Sequence, residues 1–449
     1  MGFNSLQFLF LFLPLFLVVY YLCPPAHRNL VLVLGGLAFY AIGAWGRLWN
    51  LLLLLQMMMI TYLAGIGMTR GDTQRRSILV GSLILLFGTL LCFKYVGVAV
   101  RGWALPLGIS FYLFQMAAYL IAAYRRQITP ENRLLPFSAG VLLFPKLLSG
   151  PLMEPADLQS QVRTRRYDWR NFDAGLREFI WGLALKVLVA DRVGGLWRQA
   201  GVIGYESLST PMAWLSLVAY SLQLYFDFCG YSKMAVGLGM MLGFRLPQNF
   251  AHPYAARSMG EFWRRWHITL GAWFRNYVYI PLGGNRKGMA RTLLNLLVVW
   301  LLTAMWHGNS WNFILWGLFI FFLLANERLW LGKWLDRHPV LAHGYMVLAI
   351  PLSWLLFAVE DVQSIGTYLG RLFFTGGGVA VNPQDFVVYG RSYWLMILVG
   401  IVLAMPWPER LWEKIRSTTV GTVLCFLLFW AAVYCICVAE NDPFMYFQF

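Results

Sequence analysis

The chain has 449 residues, of which 59% are hydrophobic and 12% charged, with a mean hydropathy of +0.60. A soluble domain carries about 25% charged residues, so this composition excludes a soluble enzyme, a nucleic-acid-binding module and a disordered chain. The net charge of 36 − 20 = +16 is read as Lys and Arg retained in cytoplasmic loops, with membrane lipids rather than nucleic acid as partner.

A membrane-crossing helix needs about 20 mostly apolar residues. In chain order, spans are predicted at 3–22, 30–46, 48–67, 78–97 and 104–123, then at 176–196 and 212–229. Five more follow at 291–307, 311–330, 340–359, 392–408 and 418–438. The first stretch is too long, and too poor in N-terminal positive charge, for a cleaved signal peptide. The expectation is an all-α integral membrane protein of about 11–12 transmembrane helices with re-entrant and interfacial helices, forming one polytopic domain over 1–449.

Charge in the loops predicts orientation. Arg28, then Arg70, Arg75 and Arg76, then Arg125, Arg126 and Arg133 alternate with loops holding only Arg47 and Arg101. The positive-inside rule therefore puts the N-terminus outside, in the periplasm of a Gram-negative cell, with the chain in the inner membrane. The apolar stretch 134–150 is broken by Pro136, Pro145 and Lys146 and followed by Arg163, Arg165, Arg166 and Arg170. With both flanks basic it reads as a re-entrant hairpin, tolerated at membrane depth only where it is buried in protein or lines a cavity. Alternation then places 245–291, with Arg245, Arg257, Arg264, Arg265, Arg275, Arg286, Lys287 and Arg291, inside, and the 360–391 loop and the C-terminus outside. No internal repeat of the transporter kind is visible. The six Cys lie mostly in apolar runs and read as small hydrophobes, without metal spacing.

Among the six His, His27, His338 and His343 read as loop residues and His252 as part of a polar turn. His307, in Thr303-Ala-Met-Trp-His-Gly-Asn309, sits where one apolar helix gives way to the next. An ionisable side chain there is costly unless it faces a cavity or partner, and an imidazole suits removal of a hydroxyl proton near neutral pH. The alternative is a His that bonds a carbonyl and ties two helices together. Gly308 is read as permitting a tight turn, and Trp306 and Asn309 as accompanying polar groups. At 100° per residue, Trp263, Trp266, His267, Leu270 and Phe274 share one stripe. A single amphipathic helix at the cytoplasmic interface is therefore predicted, with His267 on its buried side and Arg264 and Arg275 on another. Arg264, Arg265 and Arg275 suit either the phosphates of coenzyme A or anionic lipid. Asp227, an intramembrane carboxylate, is placed to orient a His or to pair with Lys233.

These residues also carry a resemblance. Arg245-Leu-Pro-Gln-Asn-Phe250, Glu261-Phe-Trp-Arg-Arg-Trp-His-Ile-Thr-Leu270 and Trp273-Phe-Arg-Asn-Tyr-Val-Tyr-Ile-Pro-Leu-Gly-Gly-Asn-Arg-Lys-Gly288 resemble the membrane-bound O-acyltransferases, most of all the bacterial alginate O-acetyltransferase branch. Trp306-His-Gly308, Trp311-Asn-Phe-Ile-Leu-Trp-Gly317, Pro106-Leu-Gly-Ile-Ser-Phe111, Gln223-Leu-Tyr-Phe-Asp-Phe228, Phe144-Pro-Lys-Leu-Leu-Ser-Gly-Pro151 and the terminal Pro443-Phe-Met-Tyr-Phe-Gln-Phe449 extend it over nearly the whole chain, with 245–317 as the core segment.

The resemblance implies a ring of tilted helices around a thin centre, with His307 as the active-site His and His267 as a second functional His. It implies that acetyl groups from cytoplasmic acetyl-CoA, a substrate rather than a resident cofactor, are passed outward for O-acetylation of alginate, cellulose, peptidoglycan or a similar polysaccharide. A periplasmic or membrane-anchored acetyltransferase and a polysaccharide synthase complex are the implied partners. The chain departs from the family pattern at Lys233, at Asn276 and at Phe319-Ile-Phe321. A non-catalytic transporter of an acetylated precursor and D-alanyl transfer to teichoic acid are the rival expectations.

Overall fold

The computed structural model describes residues 1–69, 71–97, 103–373 and 381–438. Arg70, Arg101 and the 443–449 ending lie outside them. Every regular element among the described residues is helical, as an apolar chain that must satisfy its own backbone in lipid requires. Among the described residues, eight helices are long and apolar enough to cross a membrane: Pro25–Gly43, Trp49–Gly67, Gln74–Val96, Gly288–His307, Trp311–Arg337, Pro339–Ala358, Asp385–Ala404 and Thr419–Val438. Phe8–Leu22 and Ile109–Tyr124 are shorter apolar helices. At about 1.5 Å per residue the second of these reaches only about 24 Å, short of a hydrocarbon core of about 30 Å.

Two predicted spans belong to longer helices. The 176–196 stretch lies within Trp169–Ala184, the π-helical turn Leu185–Ala190 and Asp191–Ile203. The 212–229 stretch does not stop at Cys229 but runs to Met241 in the 32-residue helix Thr210–Met241. Charged side chains that hydropathy reads as interruptions are held in pairs here, and the helix continues past them.

The chain divides into two compact units. Among the described residues, one comprises those within 1–182, 231–248 and 433–438, and the other those within 183–230 and 249–432. In the first, Phe144 packs against Phe12, Phe16 and Phe39 at 5.6, 5.1 and 5.3 Å between ring centres, and Phe3 stacks on Tyr231 at 4.9 Å. Each such pair adds about 0.5–1.5 kcal/mol beyond area burial. The predicted hairpin 134–150 is two short helices, Leu134–Val141 and Phe144–Leu147, separated by Leu142 and Leu143. Its turn is fully buried, and Lys146 within it donates to Gln115. A side chain at Gly36 would strike the Leu142 carbonyl, so the Arg28–Gly43 helix approaches the break backbone to backbone. Lys233, one of the departures from the family pattern, donates to Glu178 at 3.0 Å.

In the second unit Lys186 donates to Asp191 and reaches Asp227 at 2.8 Å, its side chain only 2% exposed. The partners found here for Asp227 and Lys233 are ones the sequence reading had not named. Four tryptophans, Trp263, Trp300, Trp316 and Trp354, pack in a cluster, with Trp263 and Trp300 4.7 Å apart and Trp300 and Trp316 5.7 Å apart.

Candidate active site

The segment 259–274 is not one helix. Ser258 caps Met259–Arg265, its hydroxyl accepting from the Glu261 N–H, while the Glu261 carboxylate accepts from the Arg257 N–H at 2.8 Å and pairs with Arg265. Trp266 is then extended and His267 takes the left-handed conformation at φ 45°, ψ 51°, before Ile268–Phe274 resumes. That conformation costs an L-residue about 1–2 kcal/mol and is held by tertiary bonds. The Asn249 carbonyl accepts from the Ile268 N–H at 3.0 Å, and the Asn249 side chain accepts from the Thr269 hydroxyl at 2.7 Å and its N–H at 3.2 Å. Ala251 N–H donates to the Arg265 carbonyl at 3.0 Å. The predicted continuous stripe is therefore corrected, although its sides are right: Trp266, His267, Leu270 and Phe274 are buried, and Arg264 and Arg275 exposed.

The N-terminus of Met259–Arg265 is also anchored from a distance. Glu327 accepts from the N–H groups of Met259 and Gly260, and from the Tyr345 hydroxyl at 3.1 Å. A carboxylate there meets the positive end of the helix dipole. Neither Asn249 nor Glu327 was identified from sequence. A lone carboxylate in a Trp-rich apolar stretch was the available signal for Glu327.

His307 ends the Gly288–His307 helix. Its ring lies edge-on to Trp316 at 5.1 Å and Phe357 at 5.0 Å, and 4.5 Å from Trp306. Gly308 is extended, with φ −169°, so the predicted need for a special backbone angle is corrected. Its requirement is space: a Cβ at Gly308 would overlap the Phe313 ring. The buried amide of Asn312 accepts from Ser310 at 2.7 Å and donates to the Phe357 carbonyl at 3.1 Å, fixing the ring beside His307. Asn309 is exposed in the turn, so the polar anchor in this motif is Asn312.

The two His meet through Trp306. Its ring is 4.5 Å from His307 and 6.4 Å from His267, whose other face lies edge-on to Phe228 at 4.7 Å. Both His are buried, at 3% and 5% exposure. Burial pushes the His267 imidazole down to about 3, so it is neutral at physiological pH. Asp227 precedes Phe228 and is bound to Lys186. Arg265 is engaged with Glu261, leaving Arg264 and Arg275 as the exposed members of the predicted phosphate-binding trio. His252, read as an ordinary turn residue, instead pairs with Glu409 at 2.9 Å.

An apolar site in which two imidazoles contact one indole suits transfer of a group that water would otherwise intercept. The membrane-bound O-acyltransferase family matches residues 133–358, which contain both His. The chain is 34% identical to the probable alginate O-acetylase AlgI of Pseudomonas putida over the whole of both proteins. It is 32% identical to the peptidoglycan O-acetyltransferase of Helicobacter pylori over all of this chain and 97% of that one. With the teichoic acid D-alanyltransferase of Bacillus subtilis it shares 26% identity over 55% of this chain and 65% of that one. The chain belongs to the membrane-bound O-acyltransferase family. It is a multi-pass membrane enzyme that transfers acyl groups to oxygen.

Proposed function

We propose that this enzyme takes acetyl groups from cytoplasmic acetyl-CoA and passes them across the inner membrane for O-acetylation of an extracellular polysaccharide, with a periplasmic or membrane-anchored acetyltransferase completing the delivery. The observation that carries this reading is the pairing of His267 and His307 about Trp306 in an aromatic enclosure. The full-length similarity to proteins named for alginate and peptidoglycan O-acetylation supports the substrate class.

In this mechanism His307 accepts the proton of the acceptor hydroxyl as its oxygen attacks the thioester carbonyl. The tetrahedral intermediate then expels the coenzyme A thiolate, which recovers that proton from the imidazolium and leaves as free thiol. His267, held neutral by burial, contributes a hydrogen bond along the donor path rather than a charge. Exclusion of water by the surrounding rings limits hydrolysis of the thioester. Arg264 and Arg275 are the exposed cations proposed to meet the donor phosphates. Both termini are proposed to be periplasmic, on the distribution of arginines between alternate loops.

The test is the purified protein in proteoliposomes with acetyl-labelled acetyl-CoA, together with the O-acetyl content of each envelope polysaccharide after deletion of the gene. Release of free coenzyme A with label on an acceptor hydroxyl supports the reading. No release of coenzyme A from acetyl-CoA where a D-alanyl-loaded carrier protein added in its place is turned over, or unchanged acetylation of every polymer, overturns it.

A further inference from the structure

The first unit contains a cavity of about 450 Å³ lined by Arg28, Arg133, Arg163, Arg165 and Arg166, with no acidic side chain in its wall. That volume lies in the range of small-ligand sites, about 300–1,000 Å³. Arg28 is more than a hundred residues from the other four in sequence, so only the fold brings it to them.

The surrounding contacts orient these groups without neutralising most of them. Arg165 donates to the Tyr20 hydroxyl at 3.0 Å and the Val162 carbonyl at 2.7 Å, and lies 4.8 Å over the Phe244 ring. Arg28 lies over Tyr20 and Tyr167 at 5.5 and 5.9 Å. Only Arg163 and Arg133 approach a carboxylate, Glu131, at 2.7 and 3.9 Å. Among the described residues, Arg28, Arg165 and Arg166 have no carboxylate partner.

Two further observations point to a ligand. Arg28 Nε, Asn29 Oδ1 and the Tyr167 hydroxyl, all on residues of this wall, are buried with no hydrogen-bond partner among the described residues. Buried polar atoms are normally satisfied, so three orphans in one wall mark a place where something else bonds them. The helix Pro25–Gly43 begins at this wall, where Pro25 and Ala26 line the cavity. The positive end of its dipole favours an anion.

We propose that this cavity binds a phosphate-bearing ligand. The planar guanidinium fork matches phosphate oxygens bidentately, while Asn29 Oδ1 and the Tyr167 hydroxyl suit an ester or hydroxyl group beside the phosphate. A soluble diphosphate and the headgroup of an anionic phospholipid share this chemistry. The proposal does not rest on the acetyl-CoA reading, because all the residues of this wall belong to the unit that holds neither His267 nor His307.

The test uses the full chain in phosphatidylcholine nanodiscs, titrated with labelled inorganic pyrophosphate, and the same protein in neutral micelles offered phosphatidylglycerol and read by native mass spectrometry. The expected result is saturable binding of one of these probes, weakened about tenfold for each arginine removed in Arg28→Gln and Arg166→Gln. Raising the salt concentration weakens pyrophosphate binding, and Arg28→Lys recovers only part of the loss. Pyrophosphate binding identifies a soluble ligand, and phosphatidylglycerol retention alone identifies a lipid. Phenylglyoxal modification of the wild-type protein, mapped at Arg28 and Arg166, covers the case in which the variants fail to fold. If neither probe protects these arginines, or if correctly folded variants bind both probes as the wild type does, the proposal is overturned.

Discussion

Two groups of buried ionisable side chains lie in the second unit, and they are treated in opposite ways. Around Lys186 an ammonium sits between the carboxylates of Asp191 and Asp227. Around Trp306 the imidazoles of His267 and His307 sit edge-on to aromatic rings. The first arrangement satisfies charge and fixes structure. The second sets two imidazoles among aromatic rings, where burial keeps the His267 ring neutral. The lesson is that burial alone does not mark a functional group. What separates the two groups is their surroundings, carboxylates around Lys186 and aromatic rings around the two His.

Breaking each side of that comparison gives distinct outcomes. The largest effect is expected for His307→Ala, which should lower coenzyme A release by about 10²–10⁴-fold while the protein level and melting temperature stay near wild type. Retained turnover would remove His307 from the chemistry. Lys186→Met should instead lower stability, by about 3–5 kcal/mol, because it takes away the ammonium shared by two carboxylates. Thermal unfolding in detergent measures this, and Lys186→Met with Asp227→Leu should recover part of the loss. Gly308→Ala should cost about 1–3 kcal/mol through overlap with Phe313, with Phe313→Leu restoring much of it in the same assay.

A pH series sharpens the other side. His267 titrates near 3 in the fold because of burial and near 6.5 when unfolded. The unfolded chain therefore binds more protons between these values, and stability should fall as pH drops from about 6.5 toward 3. His267→Gln should flatten that decline in a melting series, and an unchanged slope would show that His267 does not carry it. The smallest effect is expected for Arg265→Gln, a few tenths of a kcal/mol, because the pair with Glu261 is a partly exposed i, i+4 contact.

Much of this site was legible before any coordinates. Both His stood out because ionisable groups are scarce in apolar, Trp-rich stretches. The buried side of 263–274 also followed from helical spacing. What escaped was the break at His267, because spacing assumes a regular helix and the loop at Asn249 that enforces the kink lies eighteen residues away in sequence (267 − 249 = 18). Asn309 was preferred to Asn312 for the same reason: proximity to His307 in the chain is visible in sequence, whereas the bond from Asn312 to the Phe357 carbonyl is not.

Sequence by itself determined that the chain lives in a membrane, because its charge is too sparse to coat a globule, and it singled out His267 and His307. Loop alternation assigned Arg28, Arg133, Arg163, Arg165 and Arg166 to one side of the membrane along with many other arginines, without singling these five out. Only the tertiary structure decided that both imidazoles contact Trp306, that Lys186 serves Asp227, and that the five arginines line one cavity with three orphaned polar atoms. The physical reason is that hydropathy and charge are summed along the chain, whereas a hydrogen bond, a ring contact or a shared cavity depends on which distant segments meet.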